Sequence, residues 1–352
     1  MEVGGQLKEV VVATATDLSA MPGLVEHGVY LAGTGSTGVA PTFFCLSALY
    51  TAVMAVGALG QRLPAKQATT AGAPAAADQP YVPVETVTRL PQFWLIWAGV
   101  MGNAMAGITI ISCAKTIMAE TFGSQLPLYV DGGFAAAYVA GLSLANLGGR
   151  LFWAATSDKI GRRATYLTFG VVGLPVLCAI PSLTAMVAAE PSTVPLWAFV
   201  AGSSVVISCY GGLLGILPAY VNDKFGARNA TSIFGLCMTG WASAALVGPQ
   251  LMTALRSASY TRALDDLAQA VDPARFAEHF GAPLADLPAL VQAKAVTIPR
   301  LLEIMPPGTL DPSYMLYNTT IYTMAGALGA AFLANALVRP IDPKHFVVPR
   351  KE

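Results

Sequence analysis

Charged residues are scarce in this sequence, since Asp, Glu, Lys and Arg make up only 11% of the 352 residues. A soluble globular domain carries about 25% charged residues, so this chain is too apolar to belong to that class. The 20 basic and 20 acidic side chains balance to a net charge of zero, and the chain has no large basic tract. This charge pattern gives no reason to expect nucleic acid as a partner.

Residues that build metal and catalytic sites are also few. The three histidines lie outside the apolar stretches, and no Ser/His/Asp set or phosphate loop occurs in a credible context. We therefore expect no metal, no cofactor and no enzymatic activity. The amino terminus lacks the pattern of a removable signal peptide, so insertion is expected to rely on the first apolar stretch. The five cysteines each lie in an apolar stretch without metal-ligand spacing: Cys45, Cys113, Cys178, Cys209 and Cys237.

Long apolar stretches are what the sequence does have. A helix that crosses about 30 Å of hydrocarbon needs about 20 such residues. Seven stretches qualify, near 39–60, 92–118, 132–154, 165–188, 195–220, 231–255 and 314–338. Helices are predicted because an open sheet edge in lipid would leave backbone groups unpaired. The fold class is therefore an all-α polytopic membrane protein, with the lipid bilayer as a partner.

Basic residues concentrate on alternate connections between these stretches, and short basic connections stay in the cytoplasm. The amino terminus and the longest polar loop are therefore predicted to face outward. The predicted organisation is an extracytoplasmic segment 1–38, a span 39–60, a cytoplasmic linker 61–91, five spans within 92–255, an extracytoplasmic insertion loop 256–312, a last span 313–338 and a cytoplasmic tail 339–352.

The run GTGSTG, residues 33–38, has the glycine spacing of a dinucleotide-binding loop. That motif requires a preceding strand, a following soluble helix and an acidic residue about 20 positions further on. A membrane span follows here instead, and the next acidic residue is Asp78. A glycine-rich start of a helix is the better interpretation.

The stretch SDKIGRRATYL, residues 157–167, places a cluster of charge at the end of an apolar helix. Such a cluster either locks two helix ends together by hydrogen-bonded ion pairs or simply anchors the chain on the cytoplasmic side. The stretch resembles the signature loop of the major facilitator superfamily, Gly-x-x-x-Asp-Arg/Lys-x-Gly-Arg-Arg/Lys, with Ala154 in place of the first glycine. The matching residues are Asp158, Lys159, Gly161, Arg162 and Arg163.

The run before this loop, with Asn146, Gly149, Arg150 and Trp153, resembles helix eight of the oxalate/formate antiporter branch, whose relatives are the monocarboxylate transporters. The resemblance implies that the seven spans are family helices six to twelve, without helices one to five. It also implies a secondary active transporter of small organic anions in the plasma membrane. Because alternating access needs two halves, three interpretations stay open: a truncated gene model, a fragment, or a half that pairs with a second polypeptide.

Arg150 is the residue on which the cargo prediction depends. It lies about 12 Å along the helix from Asp158, within the hydrocarbon depth, where a guanidinium costs at least ~2.5–3.5 kcal/mol. We therefore expect it to face the bundle interior or a wet cavity, on one helical face with Ser143 and Asn146. The resemblance implies that Arg150 binds the substrate carboxylate. The alternatives are snorkelling to the cytoplasmic interface and pairing with a neighbouring helix.

Asn103, Tyr210 and Trp241 are further candidates for the substrate site, and each is equally suited to packing. Trp241 occupies the place where the resembled oxalate exchanger has a second basic residue, which favours a monocarboxylate over a dicarboxylate. Lys115 offers a second charge near the outer mouth unless it snorkels outward. The predicted spans contain no Asp or Glu, so proton coupling through a helix carboxylate is not expected.

Two other functions compete with anion transport. One is a non-transporting half-carrier that acts as a membrane interaction or sensing partner. The other is a carrier of the same fold that moves a sugar or a drug, because fold alone does not fix the cargo.

Overall fold

The computed structural model describes residues 2–3, 6–7, 10–13, 28–31, 39–61, 79–293, 295–306 and 308–348. The run at 33–38 and most of the linker 61–91 lie outside these described residues. The chain divides into two compact units, which are described separately. The first comprises Met1–Gly72 and Val271–Arg300, and the second comprises Ala73–Ala270 and Leu301–Glu352.

The first unit holds one long apolar helix, α1 (Val39–Gly60), whose side chains are exposed along its whole length. Its 22 residues extend for about 33 Å, enough to cross the hydrocarbon of a bilayer. Four short strands, which the sequence did not predict, form two antiparallel pairs: β1 (Glu2–Val3) with β2 (Gln6–Leu7), and β3 (Val10–Ala13) with β4 (Gly28–Leu31). Short helices cover Pro273–Phe280, Leu284–Asp286 and Leu287–Gln292, and Ile298–Leu302 crosses the unit boundary.

Six long helices build the second unit. They are α2 (Pro91–Phe122), α3 (Gly132–Ile160), α4 (Arg162–Ala189), α5 (Thr193–Phe225), α6 (Ala230–Ala270) and α7 (Asn318–Leu337). Single turns of helix cover Val84–Val87, Pro312–Met315 and Pro343–His345. Helix α3 packs along α5, α2 packs against both α6 and α7, and α4 packs against α5 and α7. Large apolar side chains are fully buried between them, among them Phe122, Leu142, Phe169, Leu177 and Leu213.

Six helices in the described part of the chain are long and apolar enough to span a membrane: α1, α2, α4, α5, α6 and the last, counted over Pro312–Leu337. Helix α3 is not among them because it carries Arg150 and other polar residues. It nevertheless runs parallel to α5, since the Tyr138 hydroxyl donates to Ser203 Oγ (3.0 Å) near one end and Arg162 pairs with Asp223 at the other. The predicted all-α polytopic class is confirmed.

Several helices extend beyond the ends predicted from hydropathy. Helix α6 continues to Ala270 rather than ending at 255, and α2 continues to Phe122 rather than 118. Residues 256–270 contain good helix formers and neither glycine nor proline, so the helix persists after the hydropathy has fallen. The first part of the predicted insertion loop 256–312 is therefore a continuation of α6.

Glycines bring the backbones of α3 and α5 into direct contact. A Cβ atom added to Gly149 would lie 2.1 Å from the Ser208 carbonyl oxygen, and one added to Gly211 would lie 2.0 Å from that of Asn146. Membrane helices use small residues in this way, because close backbone approach supplies the packing that holds them together. This contact fixes α3 against α5.

Replacing Gly149 by alanine is expected to destabilise the second unit. The added methyl group would overlap the Ser208 carbonyl, and overpacking of this kind costs about 1–3 kcal/mol. The measurement is the thermal unfolding midpoint of the purified chain in detergent. Gly148→Ala is the matched control, since nothing lies within 4 Å of its added Cβ and the exchange raises helix propensity. Equal midpoints for the two variants would contradict the assigned contact.

Candidate functional site

Arg150 lies on α3 at the close contact with α5. A Cβ added to Gly215 would come within 2.9 Å of the Arg150 carbonyl oxygen. The Arg150 side chain is exposed on the surface of this helical unit. Within the part of the chain that the structure describes, it makes no ion pair or hydrogen bond, and its charge acts on the phenol of Tyr210. The guanidinium therefore keeps its hydrogen-bond donors unused.

Tyr210 and Trp241 are joined by a hydrogen bond. The Trp241 indole N–H donates to the Tyr210 hydroxyl oxygen at 3.0 Å, which links α6 to α5. The Tyr210 ring is buried against α2, because a Cβ on Gly107 would lie 2.3 Å from it. A hydroxyl that accepts one hydrogen bond still has its own proton to donate. No acceptor for that proton is found among the described residues.

Ser143 lies two turns and Asn146 one turn before Arg150 on α3. Ser143 is exposed, and its hydroxyl donates a hydrogen bond to the Val139 carbonyl oxygen at 3.0 Å. Asn146 is half-buried, and its backbone carbonyl forms the contact with Gly211. The spacing of three and four residues along α3 places both on the helical face of Arg150.

Asn103 and Lys115 lie at different depths on α2. Asn103 is buried, one turn before the Gly107 that supports Tyr210. Lys115 is exposed and lies two turns beyond Gly107, toward the other end of the helix. The structure thus joins Tyr210 to Trp241 and places Tyr210 within electrostatic reach of Arg150, whereas Asn103 and Lys115 lie one turn before and two turns beyond Gly107 on α2.

The signature loop is an ion-pair cluster that joins three helices. Asp158, in the last turn of α3, pairs with Arg162 Nη1 at 2.6 Å. Arg162 also donates to the Ser157 hydroxyl, and its Nε contacts Asp223 Oδ2 on α5 at 3.4 Å. The ends of α3, α4 and α5 are therefore held together by one guanidinium. This arrangement favours the locking interpretation over simple charge anchoring.

Arg163 and Gly161 have separate structural roles in the same loop. Arg163 Nε donates to the Asn335 carbonyl oxygen at 3.2 Å, and Arg163 Nη2 donates to that of Ala336. These carbonyls lie in the last turn of α7, where few backbone N–H groups remain to satisfy them, and that of Asn335 also accepts from the Val338 N–H at 3.3 Å. Gly161 has φ +88°, a left-handed value that favours glycine. Lys159 is exposed.

Sequence reasoning missed Asp223, although the sequence holds a signal for it. The run Asp158-Lys159-Ile160-Gly161 is repeated as Asp223-Lys224-Phe225-Gly226 at the end of α5. Gly226 has φ +89°, almost the value of Gly161. The two loops are therefore similar turns, and the aspartate of the second supplies a partner for the arginine of the first.

The second loop also secures the segment that precedes α2. The Arg228 guanidinium stacks 4.8 Å from the centre of the Tyr81 ring, and Tyr81 exchanges backbone hydrogen bonds with Val347 in the carboxyl-terminal tail. Asp342 starts the last turn of that tail by accepting from the Lys344 backbone N–H at 3.0 Å, which lowers the pKa of its carboxyl group. The segment before α2 and the carboxyl-terminal tail are thereby held together, next to the turn that follows α5.

One prediction about acidic residues has to be corrected. The predicted span of α2 stopped at 118, but the helix continues to Phe122 and includes Glu120. Glu120 was missed because the span was ended where the hydropathy falls, and a charged residue lowers the hydropathy although the helix continues past it. Carboxylates therefore lie within the helices that are long and apolar enough to cross a membrane: Glu120 on α2, paired with Arg256 on α6, Asp223 on α5, and Asp265 and Asp266 on α6.

Metal-ligating residues do not cluster in the described chain, where no group of three or more His, Cys, Asp and Glu side chains could hold an ion. The cysteines there are unpaired thiols, with Cys209 and Cys237 buried and Cys113 half-buried. The chemistry available at the Arg150 group is therefore hydrogen bonding and charge, supplied by a guanidinium, a phenol and an indole.

Comparison with known proteins agrees with the helical arrangement. The family model described as Major Facilitator Superfamily matches residues 23–249. The chain is 26% identical over 207 residues to the uncharacterized MFS-type transporter YhjX of Escherichia coli strain K12, covering 58% of this chain and 47% of that protein. It is also 26% identical over 171 residues to the oxalate:formate antiporter of Oxalobacter formigenes, covering 47% of this chain and 36% of that protein. The chain thus spans about half or less of the length of these relatives.

The family match covers well over half of the chain, and its helices have the length and composition of membrane spans. The members of this family are transporters. This chain therefore belongs to the major facilitator superfamily and is a multi-pass membrane protein.

Proposed function

We propose that this chain forms one wall of a secondary carrier for small organic anions, preferentially monocarboxylates, in the plasma membrane. The observation that carries the proposal is the Arg150 guanidinium, which is exposed on α3 with no ion pair or hydrogen bond to any described residue. A charge without a partner at membrane depth is costly, so a bound anion would stabilise it.

The surroundings of Arg150 favour a carboxylate as that anion. A planar guanidinium fork matches the two oxygens of a carboxylate and binds them with charge-assisted hydrogen bonds. The Tyr210 hydroxyl offers one more donor, since the Trp241 indole already occupies one of its acceptor positions. Guanidinium and phenol together would supply donors to both oxygens of a carboxylate.

The number of charges favours one carboxylate over two. Trp241 occupies the place where the resemblance to the oxalate exchanger implies a second basic residue, and its N–H is committed to Tyr210. Lys115 lies two turns further along α2 from the Gly107–Tyr210 contact. With one cation at the centre, binding of a dicarboxylate would leave its second charge without a partner.

Alternating access requires a second wall, which either a separate polypeptide or an amino-terminal half would supply. The exposed face with Ser143 and Arg150 is the surface that would meet it. Within a complete carrier this face would border a water-filled path, so that the arginine would be wet while the path is open and paired while the cargo is bound.

Arg150→Gln is expected to weaken carboxylate binding by about 10- to 100-fold, the loss of a charge-assisted hydrogen-bonded pair worth ~1.5–3 kcal/mol. The measurement is calorimetric titration of the purified chain in lipid nanodiscs with formate, acetate and oxalate. Formate and acetate are expected to bind more tightly than oxalate. Lys159→Gln is the matched control, because it removes another exposed cation from the same helix. Unchanged binding in Arg150→Gln, or an equal loss in the control, would refute the proposal.

Tyr210→Phe is expected to lower the affinity for acetate by about 3- to 10-fold, since it removes one neutral hydrogen-bond donor worth ~0.5–1.5 kcal/mol and keeps the ring. Tyr138→Phe is the comparison, because the Tyr138 hydroxyl donates to Ser203 within the same α3–α5 contact but away from Arg150. Tyr138→Phe should lower the unfolding midpoint and leave acetate affinity unchanged. An affinity loss of the same size in both variants would mean that Tyr210 acts only through packing.

A further inference from the structure

A second guanidinium site lies at the opposite end of the bundle from the signature loop. Arg256 on α6 holds both oxygens of the Glu120 carboxylate on α2: its Nε donates to Oε2 at 2.8 Å, and its Nη2 donates to Oε1. The Tyr317 hydroxyl, just before α7, donates to Glu120 Oε2 at 2.6 Å. The same hydroxyl oxygen accepts from Arg256 Nε at 3.2 Å. Three helices are joined by these contacts.

The geometry is that of carboxylate recognition. A guanidinium fork binds two oxygens of one carboxylate side by side, and a phenol adds a third donor to one of them. Arg256 is further supported by the ring of Tyr260, which lies 5.6 Å below it. The side chains of Arg256 and Glu120 remain 31% and 28% exposed. An external anion therefore has access to the donors that Glu120 now occupies.

The site shares α6 with Trp241, and it shares α2 with Gly107, against which Tyr210 packs. Gly107, which supports Tyr210, precedes Glu120 on α2, and Trp241 precedes Arg256 on α6, each by about 20 Å of helix. Both separations run in the direction away from the signature loop. Arg256 and Glu120 therefore lie on the side of the Arg150 group that is away from the signature loop.

We propose that Arg256 and Tyr317 form a second carboxylate-binding site on the route to Arg150, which Glu120 occupies until an incoming carboxylate replaces it. The proposal rests on the proposed anion transport and extends it. If the guanidinium and phenol donors were permanently vacant, an anion bound there would be released slowly. An internal carboxylate that competes for the same donors makes the binding weak enough for release.

The alternative is a strut, in which the ion pair only joins the ends of α2, α6 and α7. Both interpretations predict that Glu120→Ala lowers stability, because the variant leaves a half-buried guanidinium without its partner. They differ in whether the vacated donors bind a small carboxylate from solution.

The test is chemical rescue of Glu120→Ala by acetate in the 352-residue chain, in an Arg150→Gln background that removes the other candidate site. Acetate should raise the unfolding midpoint in a saturable way, since a ligand that binds only the folded state stabilises it. Its half-saturating concentration should be at least about tenfold lower than in the Arg150→Gln variant that retains Glu120. Chloride at equal ionic strength should have no such effect.

Arg256→Gln added to this background should abolish the rescue. If Glu120→Ala does not fold, Glu120→Gln is titrated with acetate by calorimetry, because glutamine keeps the shape but removes the competing charge. The second site would be overturned if acetate gives no rescue, if the rescue persists in Arg256→Gln, or if chloride rescues equally well. If Arg150→Gln abolishes acetate binding and acetate does not rescue Glu120→Ala, the second site is refuted while the proposed function stands.

Discussion

The arrangement of the second unit depends on how it accommodates guanidinium groups in an apolar bundle. Isolated charge within the membrane costs several kcal/mol, so each arginine needs an ion pair, a set of carbonyl oxygens, or water and a ligand. Arg162 has Asp158 and Asp223, Arg163 has the last carbonyls of α7, and Arg256 has Glu120. Arg150 has none of these among the described residues. This difference distinguishes Arg150 from the three arginines whose contacts hold helices together.

The position of Arg150 depends in turn on the glycines around it. A helix with this many polar residues has too little apolar surface to be held by lipid contact alone, and α3 is the one long helix of the second unit that falls short of the hydropathy of a span. Direct backbone contact through Gly149 and Gly211 compensates by increasing the packing area against α5. The same contact brings Arg150 within electrostatic range of Tyr210. Packing and binding are therefore properties of one helix pair.

The scarcity of charge predicted the class of fold, which is confirmed, and it singled out Arg150 as the candidate substrate residue, which stays a prediction. Hydropathy identified all seven long helices but not their ends, since it falls at the first charged residues whereas helical structure continues. Glu120 and the helical segment up to Ala270 were missed for this reason. Other features depend on residues far apart in sequence. The bond from Trp241 to Tyr210 and the pairing of Arg162 with Asp223 exist only because the helices bring distant side chains together.

The distribution of these contacts bears on how such a unit would move. One end is tied by the two Asp-Lys-x-Gly turns and the Arg163 contact with α7, and the other end is tied by Arg256 between α2 and α6. The middle is held by glycine contacts in which backbones already touch. Sliding one of these helices past another would break ion pairs at an end or require backbones to overlap. A transport motion that exposes Arg150 alternately to the two sides of a membrane is therefore more economically made by turning the whole helix group against a second wall than by rearranging helices within it.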